Sequence, residues 1–196
     1  MDEVARISIL ADIDKANSAD PNKEEWGGVA HPKELLYGLR MSTWLMELSP
    51  DADDALRIAA RGQHICRWEH PRSNYPMDRK GYLTWRRELY DFHAEKVGEI
   101  MRAHGATEEE IERVSFLLHK KNLHNDPDTR ALEDAACLVF LEFYLADFAA
   151  KTDQEKMIGI IRKTWSKMSD QGKTHAIKLR LPDPVQVLLQ KALDDD

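Results

Sequence analysis

The chain has 196 residues, 42% of them hydrophobic and 32% charged, with a formal net charge of -7. That length can bury a sizeable core in one domain. The composition excludes a disordered chain, a collagen-like chain and a general nucleic-acid binder of the basic-stripe kind. Two cysteines, Cys66 and Cys137, make neither a disulfide framework nor a cysteine zinc cage, which suits a reducing, cytoplasmic setting. The apolar runs fall short of a membrane span, and MDEVARISIL lacks the basic region and cleavage site of a signal peptide.

Helix is the expectation almost throughout. Val4 to Ile13 repeats apolar residues at three and four, with Asp2 and Glu3 suited to a helix start. ADPNKEEWGGVAHP reads as a long loop. A helix is expected from Lys33 to Leu48, with Leu35, Leu36, Leu39, Trp44 and Leu45 on its apolar side, stopped by Ser49-Pro50-Asp51. The next helix is expected over about Ala52 to Trp68, followed by the loop HPRSNYPMDRKGY. A longer one is expected from Tyr82 to Ala103, closed by His104-Gly105. Thr107 and Glu110 form a capping box that opens a helix to about Lys121. The most apolar helix is expected over about Arg130 to Ala150, another from Thr152-Asp153 to Met168, and a short one after Pro184. No strand alternation, phosphate loop or GxSxG elbow stands out. The fold class expected is therefore all-α, a single domain over residues 1–196 built as a bundle of about seven or eight helices.

Three features carry chemistry. His64 follows Leu56 and Ala60 at four-residue steps, as a buried structural imidazole or a ligand would. Asp134 shares a helical face with Cys137, Leu138, Leu141 and Leu145, where a carboxylate needs an arginine, several donors or a metal. Between Arg61 and Arg87, seven basic residues face only Glu69 and Asp78, with Trp68, Tyr75, Tyr82, Trp85 and Tyr90 interleaved. Guanidinium forks grip phosphate oxygens and aromatic faces stack on bases, so this segment suits a phosphorylated or nucleotide-like ligand. The same pattern also serves as a solvated face with Arg–aromatic stacking.

The order of these groups resembles the HD superfamily of metal-dependent phosphohydrolases, which are all-helical. HPKELLYGLRMSTWL is similar to its first helix with a leading histidine, ALRIAARGQHICRW to the helix that ends in the His-Asp pair, and LEDAACLVF to the late helix with the final aspartate. His31 precedes His64 by 33 residues, and Asp134 follows His64 by 70. FHAEKVGEIMRAHGATEEEIERVSFLLHKK is similar to the two-histidine insert of the two-metal members, with His93 and His119. The aspartate of the His-Asp pair is Ile65 here, with Glu95 or Glu133 as candidate substitutes.

The resemblance implies a divalent metal (Mn, Fe, Co, Ni or Zn) held by His64, His93 and Asp134, with His31 and His119 as further ligands. It implies hydrolysis of a small phosphorylated or nucleotide-like substrate. Arg67, Arg72, Arg86, Lys120 and Lys121 would neutralise the phosphate, and Lys120, Glu95 and Glu133 are the candidate catalytic groups. The alternative is a non-catalytic module of the same fold that binds a nucleotide, RNA or a protein partner.

QHICRWEHPR, NYPMDRKGYLTWR, FHAEKVGEI, LEDAACLVFLEFYLADFAAK and RKTWSKMS closely resemble the domain-of-unknown-function family 4202, over most of the chain. Some members carry a glutamyl-tRNA synthetase label, which QHIC and SKMSD echo. Those signatures need a Rossmann-type nucleotide domain, and no βαβ pattern is present.

Overall fold

Acidic and hydroxyl side chains set most of the helix starts. In the computed structural model, which describes residues 1–194, the carboxylates of Asp2, Asp53, Asp78, Asp126 and Asp153 each accept a backbone N–H in the first turn of a helix. Thr107 and Glu110 make the reciprocal capping box. The fold is predominantly helical, as expected, with ten α-helices among the described residues where about seven or eight were expected.

The chain divides into two compact units, Met1–Asn122 and Leu123–Asp196. The first holds α1 (Glu3–Ser18), a hairpin of β1 (Lys23–Trp26) and β2 (Val29–Pro32), α2 (Lys33–Leu48), α3 (Asp54–Gly62), α4 (Arg79–Ala103) and α5 (Glu108–Leu118). Helix α3 packs on α1, α2 and α5, and α4 packs on α1 and α5. Ile9, Ile13, Met41, Leu56, Ile58, Val97, Met101 and Leu117 are fully buried in this unit. The second holds α6 (Pro127–Val139), a π turn (Phe140–Tyr144), α7 (Leu145–Ala149), α8 (Gln154–Trp165), α9 (Asp170–Ile177) and α10 (Asp183–Asp194). Here α10 packs on α7 and α8, and α6 on α9.

Several expectations are corrected. The stretch expected as a long loop is an antiparallel hairpin, with Trp26 opposite Val29. Its two-residue turn is Gly27-Gly28, at φ of 59° and 78°. Two glycines with positive φ supply the turn whose twist matches the strands. On α2, Leu39 is exposed, and the buried stripe is Leu36, Tyr37, Arg40, Met41, Leu45 and Leu48. Helix α3 ends at Gly62, short of Trp68, because the chain turns sharply at Cys66. Helix α4 begins at Arg79, three residues earlier than expected, because Asp78 caps it. The apolar helix expected over Arg130 to Ala150 is interrupted by the π turn, and α9, capped by Ser169, was not expected. Among the described residues no helix is long and apolar enough to cross a membrane.

Candidate functional site

The site is built where α3 runs out. After Gly62 the chain turns through His64 and Ile65 to Cys66, whose φ of 50° lies in the left-handed region. A non-glycine residue pays for that conformation, so something must hold it. The buried Asn17 does so: its Oδ1 accepts the Cys66 N–H at 3.0 Å. Burial pushes the Cys66 thiol up to about 11, so it is an inert packing group. The turn presents His64 and Arg67 side by side, with Ile65 in the core at 1% exposure. The side chain that stands where a metal-binding aspartate was expected is therefore pure core.

His64 lies flat on Tyr37, ring centroids 3.7 Å apart and planes within 8°. Its Nδ1 is 3.2 Å from Oε2 of Glu34, and Nη1 of Arg67 is 2.6 Å from its Nε2. Nδ1–H therefore donates to the carboxylate, and the Nε2 lone pair accepts from the guanidinium. Burial lowers the His64 pKa well below that of a free imidazole, and the charges of Arg67, Lys120, Lys33 and Arg86 lower it further. Four cations thus act on one neutral imidazole. Glu34 is the carboxylate in this cluster; burial raises its pKa, against the pull of Arg67, Lys33 and His93. Lys120 joins the cluster from the end of α5 with a left-handed φ of 53°.

His93, on α4, lies beside His64 with ring centroids 6.0 Å apart. Its Nδ1 donates to the carbonyl of Ile65 at 2.9 Å. Burial, followed by the proximity of His64 and Arg67, keeps this ring neutral as well. Arg67 reaches over Trp85, 5.2 Å from the ring centroid, and Trp85 Nε1–H donates to the His70 carbonyl at 2.9 Å. The basic, aromatic segment thus forms a wall of the cluster, with Arg86 stacked over Tyr82 and Tyr90.

Of the residues expected to bind metal, the structure brings His64 and His93 together. Asp134 belongs to the second unit, where its buried carboxylate accepts the Ser169 N–H at 2.8 Å and the Ser169 hydroxyl. Glu133, also in that unit, is 3.4 Å from Lys167. His31 sits on the hairpin opposite Glu24, its ring 6.2 Å from Trp26. His119 caps α5 and places Nε2 2.9 Å from Asp91. Glu95 and Lys121 are exposed. Arg72 donates to the carbonyls of Tyr75 and Pro76, holding its own loop together. Lys33, Glu34 and Tyr37 were not singled out from the sequence. Their signal, a Lys-Glu pair at the start of α2, reads as an ordinary helix terminus.

Among the described residues there is no group of three or more His, Cys, Asp or Glu that could hold a metal ion, and the Nε2 of His64 is taken up by Arg67. His64 and Arg67 are both partly exposed, and a guanidinium so placed is chemically suited to grip an anion.

No curated protein and no solved structure matches the chain. The family described as Domain of unknown function (DUF4202) matches over residues 8–189, nearly the whole length. The residues that build this cluster all fall within that span, and the chain belongs to this family.

Proposed function

We propose that the first unit recognises a small phosphate-bearing molecule at the cluster of His64, Arg67 and Lys120. The observation that carries this reading is the Arg67 guanidinium 2.6 Å from Nε2 of a neutral His64, on which the charges of Lys120, Lys33 and Arg86 also bear. Arg67, Lys120 and Arg86 are half-buried, where attraction to an anion is screened less than at an open surface. Arg67 supplies a guanidinium for bidentate contact, and Lys120 and Arg86 supply further charge. This is the binding-module alternative, on an HD-like order of helices. A reducing, cytoplasmic compartment suits the two free cysteines. Nucleic acid is the less favoured partner, because the chain as a whole is acidic.

Calorimetric titration with inorganic phosphate at two salt concentrations tests the reading. The parent protein binds, more weakly at higher salt, and Arg67→Ala weakens binding about tenfold or more. Absence of binding up to about 10 mM phosphate refutes it.

Metal-dependent phosphohydrolysis is the second reading. One observation favours it: Nε2 of His93 is buried with no hydrogen-bond partner among the described residues, as a ligand nitrogen awaiting a metal would be. Metal analysis of the purified protein, followed by a phosphatase screen over nucleotides and sugar phosphates, separates the two. One equivalent of Mn, Fe, Co, Ni or Zn with phosphatase activity favours the enzyme. Metal-free protein that still binds phosphate favours the module.

A further inference from the structure

The ring of His93 has one hydrogen and one lone pair to place. A carbonyl oxygen only accepts, so the contact to Ile65 puts the hydrogen on Nδ1. The ring is neutral, so Nε2 carries a bare lone pair. His93 is 3% exposed, and no donor among the described residues reaches that atom. A buried acceptor without a donor carries a desolvation penalty that native folds rarely leave standing without a reason. The neighbouring His64 ring, 6.0 Å away, is already satisfied on both nitrogens by Glu34 and Arg67. The cluster therefore offers two separate features to a ligand: a partly exposed guanidinium at Arg67 and an acceptor without a donor at His93.

We propose that the ligand is a phosphomonoester with a free hydroxyl on its carbon skeleton. The phosphate lies against Arg67 and Lys120, and the hydroxyl donates to Nε2 of His93. This rests on the phosphate reading above and goes further by fixing what must accompany the phosphate. Arg67 stands against His64, whose ring centroid is 6.0 Å from that of His93, so a short carbon chain suffices to join the two groups. An ester without the hydroxyl would set a methylene against the lone pair and leave it desolvated, which is how polar sites reject analogues that lack a single hydroxyl. A divalent cation would also fill the lone pair, but the positive charge of Arg67, which bears on His93 as well, opposes it.

The test compares glycerol 3-phosphate with n-propyl phosphate, which share a three-carbon chain, and with inorganic phosphate, all titrated into the full chain. Glycerol 3-phosphate is expected to bind at least about tenfold tighter than propyl phosphate. In His93→Phe the two esters are expected to bind alike, near the parent's affinity for propyl phosphate. Nitrogen-15 NMR of the parent's histidines gives a readout independent of any variant's folding. The Nε2 resonance of His93 is expected to move toward the hydrogen-bonded range with glycerol 3-phosphate and to stay in place with propyl phosphate. Equal affinities for the two esters, with an unmoved Nε2 resonance, overturn the hydroxyl assignment and leave the phosphate reading standing. No binding of any of the three overturns the phosphate reading itself.

Discussion

Asp134 and Gly172 are expected to behave as one energetic unit. The Asp134 carboxylate is 2% exposed and holds the Ser169 N–H at 2.8 Å and the Ser169 hydroxyl. Ser169 in turn caps α9 by accepting the Gly172 N–H at 3.1 Å. Hydrogen bonds to a charged group are worth about 1.5–3 kcal/mol each. Asp134→Ala should therefore cost about 3–5 kcal/mol, including part of the α9 cap. A Cβ on Gly172 would stand 2.5 Å from Oδ1 and 2.6 Å from Cγ of Asp134, closer than atoms can approach. Gly172→Ala should therefore expel the carboxylate and forfeit the same bonds, again about 3–5 kcal/mol. With alanine at position 134 there is no carboxylate to expel, so the double variant should lose little beyond the first change. Urea denaturation of the parent, both single variants and the double variant, followed by circular dichroism, measures the cycle. A coupling energy of about 3 kcal/mol or more is expected. Losses that add to within about 0.5 kcal/mol would refute this account of Asp134 as the clamp of α9.

Acid should destabilise the fold through His64 and His93. Both hold pKa values well below the ordinary one, so below about pH 6.5 the unfolded chain binds protons that the folded chain refuses. Stability should fall with pH in that window by up to about 1.4 kcal/mol per pH unit for each ring, and urea midpoints between pH 7 and pH 5 should drop less steeply in His64→Phe. Glu34→Gln keeps an acceptor for His64 Nδ1–H while removing the neighbouring carboxylate, and should tighten phosphate binding about fivefold or more in calorimetry; weaker binding would contradict the charge argument. Gly81→Ala would put a Cβ 2.2 Å from the Pro76 carbonyl oxygen, a backbone atom with little room to yield. It should cost more than about 2 kcal/mol and lower Tm by about 5 °C or more in a calorimetric scan.

What the sequence made legible was mostly local. Helix α2 runs from Lys33 to Leu48 as punctuation by Pro32 and Ser49-Pro50 implies, and the Thr107 capping box opens α5. His64, His93, Arg67, Arg86 and Lys120 could be singled out, and the structure brings them to bear on one another. The rest depended on pairings between distant segments, which periodicity does not report. Asp134 on an apolar face needed donors, and whether they came from a metal or from Ser169, 35 residues away, could not be read from spacing. Lys33, Glu34 and Tyr37 enter the site only because the Cys66 turn delivers His64 to the first turns of α2. That turn rests on a left-handed cysteine held by Asn17, a contact with no local signature. The hairpin was missed for another reason: its Gly-Gly turn was visible, but its strands are four residues long and mostly exposed, so they show no alternation.

The π turn at Phe140–Tyr144 gives one stretch of the second unit a particular tolerance to changes in length. An α-helix advances about 100° per residue, so removing one residue from a regular helix turns everything beyond it to a new face. A π turn already contains one residue more than the α turn it replaces. Loss of a single residue within 140–144 can therefore be absorbed by reverting to plain α-helix. The buried faces of α6 (Leu132, Ala135 and Leu138) and of α7 (Leu145) then keep their directions. The same deletion a turn earlier, among Ala135 to Leu138, would swing the stretch between it and the π turn, with the buried Val139, to a new face. The widened turn is the one place along this helix where chain length and helical phase are uncoupled.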